Sequence, residues 1–146
     1  MKTIKEQKTD FQDFIDGIPD YLETIERLLN VTDLTFSSEE IDSVRVFYET
    51  AWKDPVKLGL SKEELAQAFC AYAGEAFIHH CRGNWELSKL KTDEAYGTPI
   101  ILNWSNAGKP TARISPWVWR KLIERGQLRE KLSDKVLQTT RRRTGS

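Results

Sequence analysis

Two periods of apolar and polar positions follow one another along this chain, and the change of period organises it. From Phe11 to His80 the apolar positions recur every three or four residues, which is one face of a helix. At Trp85 the period shortens to two: Trp85 and Leu87 alternate with Glu86 and Ser88, as on a strand. After Ser115 the helical period returns. The pattern predicts an α+β fold, with N-terminal helices and a long central helix packed on a three-stranded antiparallel meander, closed by C-terminal helices.

The central stretch is residues 61–85. Ser61 and Glu64 have the S-x-x-E spacing of a capping box, in which each side chain satisfies a backbone N–H of the first turn. Leu65, Phe69, Tyr72, Ala73, Ala76, Phe77 and His80 form the apolar face. Arg82 belongs in the last turn and Gly83 at the left-handed position after it. Gly74 inside the helix costs about 1 kcal/mol against alanine. Its return is the close approach of a neighbouring element, so this helix packs on more than one side. His80, in the middle of the stripe, reads as a satisfied core histidine.

Before it, Phe11, Phe14, Ile15 and Ile18, then Leu22, Ile25, Leu28 and Leu29, give one kinked helix or two consecutive helices over residues 9–30, interrupted near Gly17 and Pro19. Residues 31–36 are a linker. Ser37 and Glu40 make a second capping box, and Ile41, Val44, Tyr48 and Trp52 give a helix from 38 to about 53, ended by Asp54-Pro55. After the central helix, residues 91–94 form a polar turn, 98–104 a second strand, 105–108 a turn and 109–114 a third strand, with Pro110 near its start. Ser115-Pro116 opens a helix through Val118, Trp119, Leu122 and Ile123 to Gly126. Leu128, Leu132 and Val136 suggest one more, and residues 139–146 a disordered basic tail beyond a single domain of residues 1–138.

At 146 residues the chain can bury a proper core as one domain. It has no apolar run of about 18 residues, so no membrane span is expected. The polar N-terminus has no hydrophobic signal region, which points to the cytoplasm. Cys70 and Cys81 share one helix, roughly 16 Å apart, and cannot pair with each other. They read as buried hydrophobes in a reducing compartment. The formal net charge is zero but unevenly spread. Residues 1–60 carry 7 Lys/Arg against 13 Asp/Glu, and residues 109–146 carry 11 against 3. Either the two ends neutralise each other, or one of them faces a partner.

Candidate chemistry is sparse. Glu75 and His79 lie four residues apart on one helix face, a spacing that serves a metal or a general base. Two ligands fall short of the three or four that zinc needs, and the plain alternative is a helix-surface pair of a few tenths of a kcal/mol. Neither cysteine has a local base or a C-x-x-C partner, and there is no phosphate loop, G-x-S-x-G or H-E-x-x-H. No enzyme activity, cofactor or metal is expected. Trp117 and Trp119 point about 200° apart on their helix. With Trp119 buried, Trp117 faces outward or closes the sheet edge. Beside Arg113, Arg120 and Lys121 it has hot-spot composition for a protein partner. It also suits a nucleobase in a basic groove, with Arg141, Arg142 and Arg143 for phosphates.

Ala71-Tyr72-Ala73-Gly74-Glu75, Gly83-Asn84-Trp85, Tyr96-Gly97-Thr98-Pro99 and Ser115-Pro116 followed by Lys121 together resemble a small bacterial domain of unknown function. That domain is similar to proteins of toxin-immunity loci and phage-borne accessory genes. The resemblance spans residues 38–126 and implies helices, an antiparallel meander and a closing helix. It supplies no catalytic residues. The double histidine, Cys81 and the basic tail fall outside its pattern. The expectation is a non-enzymatic protein-binding module, of immunity or antitoxin type. It would bind a partner such as a toxin through the acidic helices of residues 10–54, or through Trp117 and its basic neighbours. The alternative is a nucleic-acid-associated protein using the basic C-terminal third.

Overall fold

The computed structural model describes residues 2–104 and 110–137; at residues 103, 104 and 110–112 only the backbone is described. The expected turn at 105–108, the tail at 139–146 and Arg141–Arg143 lie outside the described residues. The fold is α+β. In chain order the elements are α1 (Ile4–Leu29), α2 (Ser38–Ala51), a 3-10 turn (Pro55–Leu58), α3 (Lys62–Cys81), β1 (Asn84–Leu87), β2 (Pro99–Trp104), β3 (Pro110–Ile114) and α4 (Pro116–Glu124). A last helical turn covers residues 132–137.

α3 is the hub. Its start has the full capping box expected of Ser61 and Glu64. Leu65, Phe69, Tyr72, Ala73, Ala76 and Phe77 on its apolar face are buried, and so are Ala68, Ala71 and Cys81 on its other sides. A helix buried all round must be enclosed by several neighbours. Here α1, α2, α4 and β2 all pack on it. The sheet is an antiparallel meander in the order β1-β2-β3, pairing Trp85 with Ile101 and Ile101 with Ile114. Pro99 and Pro110 each begin a strand, where a missing N–H does least harm.

Gly74 carries the close approach that its position in a helix predicts. A Cβ there would stand 2.1 Å from Cη2 of Trp85, so the indole lies directly on the α3 backbone. Glu75 holds that indole in place, accepting the Trp85 Nε1–H at 2.9 Å. The Gly-Glu pair is thus a cradle for a tryptophan from the next element.

Three details differ from the sequence reading. α1 is one continuous helix through Pro19, starting at a Thr3–Glu6 capping box. Pro19 is exposed, while Phe14, Ile18 and Ile25 on either side of it are buried, and that burial outweighs the lost backbone bond. At the end of α3, Arg82 is not in the last turn but is the C-cap, already at positive φ (64°, ψ −168°), and Gly83 follows it at φ 115°, as expected of the residue after the cap. Ser37 caps α2, but Glu40 does not close the box. Its carboxylate accepts the amide N–H groups of Thr35 and Phe36, each at 2.9 Å, and the Tyr72 hydroxyl at 2.7 Å. It pins the linker to the core.

Burial alone would raise the Glu40 pKa, but the hydrogen bonds from Thr35, Tyr72 and Phe36 outweigh it and hold the carboxyl below its ordinary 4.5. A folded pKa below the unfolded one means stability that is present above about pH 4.5 and lost as the pH falls through the folded value. Glu40→Gln is therefore expected to cost about 1–2 kcal/mol in urea unfolding at about pH 7. The gap should shrink at about pH 3, where the wild-type carboxylate is protonated too. A gap of constant size across that range would mean that the charge contributes nothing.

Candidate functional site

Six residues were singled out in the sequence, and the structure brings two of them together. Trp117 and Arg120 lie one turn apart on α4, whose start is set by the Ser115 cap and Pro116. Trp117 is half-buried, and its indole meets Phe14 of α1 edge-on at 4.9 Å and 73°. Phe14 also takes Trp85 edge-on at 5.2 Å and stacks with Tyr21 at 5.6 Å. One ring of α1 thus gathers three others.

Trp117 stands as a wall between two clefts. One, of about 330 Å³, opens toward Tyr48, Trp52, Lys62, Arg120 and Glu124. The other, of about 340 Å³, opens toward Asp10, Phe11, Asp13 and Tyr21 of α1. Glu63 and Gln67 of α3 border both. The tryptophan expected among basic side chains therefore stands beside the acidic helix.

Arg120 is largely buried and structural. Its Nη1 donates to Glu124 at 2.5 Å, and the same carboxylate oxygen accepts the Tyr48 hydroxyl at 2.5 Å. Burial pushes the Tyr48 phenol up, and its bond to Glu124 adds to this, so it remains a protonated donor. Arg120 Nε is buried without a hydrogen-bond partner among the described residues. Burial also pushes the adjacent Cys70 thiol up, and the Arg120 charge offsets this only in part. A thiol held protonated at neutral pH is not a nucleophile.

The other singled-out residues line neither of the Trp117 clefts. Arg113 pairs with Asp93 at 2.8 Å and donates to Ser88 Oγ at 3.0 Å, at a different cleft shared with Leu90 and Trp119. Lys121 is half-buried on α4. Glu75 is committed to Trp85, whereas His79 is exposed with its ring 5.3 Å from Phe36 and 5.0 Å from His80. His80 is satisfied, its Nε2 lying 2.6 Å from the Phe36 carbonyl. No group of three or more His, Cys, Asp or Glu gathers for a metal among the described residues. No described helix is long and apolar enough to cross a membrane.

Residues missed in the sequence reading carry much of this geometry. Glu124 had a local signal, its i,i+4 spacing to Arg120. Glu63 and Gln67 had none, because nothing local says which helix Trp117 meets. The cations of the C-terminal third that were expected to serve phosphates are partly committed, Arg113 to Asp93 and Arg120 to Glu124.

The clearest surface feature is on α1. Asp10, Asp13, Asp16, Asp20, Glu23 and Glu26 follow one another at three- and four-residue spacing; the series winds across the helix, and Asp13, Asp16, Asp20 and Glu23 share one face as a stripe. No Lys or Arg lies between Thr9 and Glu26. The first five are exposed. Among the described residues, Asp10 has an ion pair, with Lys2. No protein-family model matches this chain, and neither the curated proteins nor the solved structures compared with it give a match.

Proposed function

We propose that this chain is a non-enzymatic protein-binding module that engages a positively charged protein through the acidic face of α1, in the manner of an immunity or antitoxin protein. The observation that carries this reading is the one-sign stripe of Asp13, Asp16, Asp20 and Glu23, exposed along the helix. An ordinary solvated helix mixes its charges and forms i,i+4 pairs. A stripe of one sign repels itself and gains free energy when an opposite charge approaches, which speeds association and selects basic partners. The half-buried Trp117 next to that stripe supplies the aromatic edge around which interface energy concentrates. A basic toxin, such as a nuclease whose own site binds phosphates, has the matching charge.

The test is affinity capture from a bacterial lysate at about 0.05 M and about 0.5 M salt, where screening differs strongly. Wild type is compared with the triple variant Asp13→Asn, Asp16→Asn, Asp20→Asn. A stoichiometric basic protein should be recovered at low salt, and lost both with the variant and at high salt. Recovery of no protein partner at low salt, or of one indifferent to the three substitutions, would overturn the proposal.

A further inference from the structure

We infer that the cleft between α1 and Trp117 receives a lysine side chain of the partner, in the place that Lys2 takes in the free chain. This rests on the reading of α1 as a protein-binding face and adds what the face recognises. The cleft has aromatic walls, Phe11, Tyr21 and Trp117, and a carboxylate rim, Asp10, Asp13 and Glu63. That combination suits one kind of side chain. Four methylenes lie along apolar walls while an ammonium reaches the carboxylates, and ring faces attract the cation in passing.

The molecule already seats such a group. Lys2 lines the same cleft and its ammonium bonds Asp10. The bond and charge of Asp10 raise the Lys2 pKa, with Glu63 and Glu6 adding to it. Apart from Lys2, the charged side chains lining the cleft are carboxylates. The Tyr21 phenol is pushed up first by burial and then by Glu63, Glu64, Asp13 and Asp20 around it. An anion entering the cleft would meet the same repulsion.

Lys2 is well placed to leave. It precedes the Thr3 cap, so its departure unwinds no turn of α1. Its side chain is 64% exposed, held at its tip rather than packed. A tethered lysine competes with a free one at an effective concentration on the order of millimolar. Lys2 thus sets a threshold that only a partner with several contacts passes.

The experiment titrates acetylated and amidated hexalysine into the full chain at low salt, followed by calorimetry. Lys2→Ala should tighten binding about 3- to 10-fold by removing the tethered competitor. Asp13→Asn with Glu63→Gln should weaken it about tenfold, as both line the cleft. Asp16→Asn with Glu23→Gln makes the same charge change on α1 outside the cleft, and should weaken binding no more than about 2-fold. Circular dichroism of each variant checks that the fold is kept. Equal losses from the two pairs would show a general attraction to α1 and overturn the cleft. No tightening in Lys2→Ala, or no binding of hexalysine at all, would overturn it too. If the lysate partner is still lost on neutralising α1, those results remove the lysine cleft alone and leave the proposed function in place.

Discussion

Gly74→Ala is expected to destabilise this protein by about 3 kcal/mol or more, lowering Tm by roughly 10 °C. Two effects oppose each other at this position. Alanine is the better helix former by about 1 kcal/mol, which alone would stabilise α3. The added methyl, however, would stand 2.1 and 2.2 Å from Cη2 and Cζ2 of Trp85 and 3.1 Å from Cδ1 of Ile101. A ring cannot yield as a flexible chain end does. Trp85 is held by Glu75 at its nitrogen, by Phe14 at its edge and by β2 through its backbone. Moving it breaks the Glu75 bond and opens the α1–α3 contact, so the steric loss wins. The check is a double-mutant cycle by thermal or urea unfolding. In a Trp85→Ala background the overlap is gone, and Gly74→Ala should there be neutral or stabilising by up to about 1 kcal/mol. Equal losses in both backgrounds would mean that Gly74 is needed for something other than the indole.

The second large effect is expected at Glu124. Its carboxylate accepts both the Arg120 guanidinium and the Tyr48 hydroxyl, with the arginine side chain 18% and the glutamate side chain 21% exposed. Glu124→Ala removes the anion and leaves the arginine and the phenol behind. Losing one partner of a fully buried pair costs about 3–5 kcal/mol, and partial exposure brings this down to about 2–3. Arg120→Met with Glu124→Leu removes both charges and keeps apolar volume, so it should recover most of that loss. The quantity to measure is the urea midpoint of the single and double variants. A single-variant cost under about 0.5 kcal/mol would place the pair among ordinary surface ion pairs. Because Arg120 also borders the Trp117 cleft, this separates a structural role from a binding role for a residue that the sequence offered as a binding cation.

Gly74 and Arg120, on which the two predictions turn, were noticed in the sequence; their pairing with Trp85 and Glu124 was not. Gly74 stands out because a glycine inside a helix needs a reason, and close approach was the right one. That the approaching group is Trp85 becomes legible only when β1 folds back across α3. Glu40 shows the same division. Its spacing from Ser37 foretold a helix start, and Ser37 does cap α2. The carboxylate itself turns to the linker and to Tyr72, because a core hydroxyl needed an acceptor. The two sequence suggestions for a binding face, the acidic helices and Trp117, converge on one surface because Trp117 packs on Phe14.

What the sequence by itself determined is local. Helix starts at Ser37, Ser61 and Ser115, a strand start near Pro110, the change of period at Trp85 and the apolar face of α3 all follow from interactions within a few residues. Each is decided by hydrogen-bonding capacity and by the direction in which a side chain leaves the backbone. Tertiary structure alone decided that Trp117 divides two clefts, that Arg120 is enclosed with Glu124 and Tyr48, and that Glu63 of α3 joins Asp10 and Asp13 of α1 around one opening. Periodicity states which face of a helix is apolar but not which other face it meets. A site assembled from α1, α3 and α4 exists only once those faces have been paired.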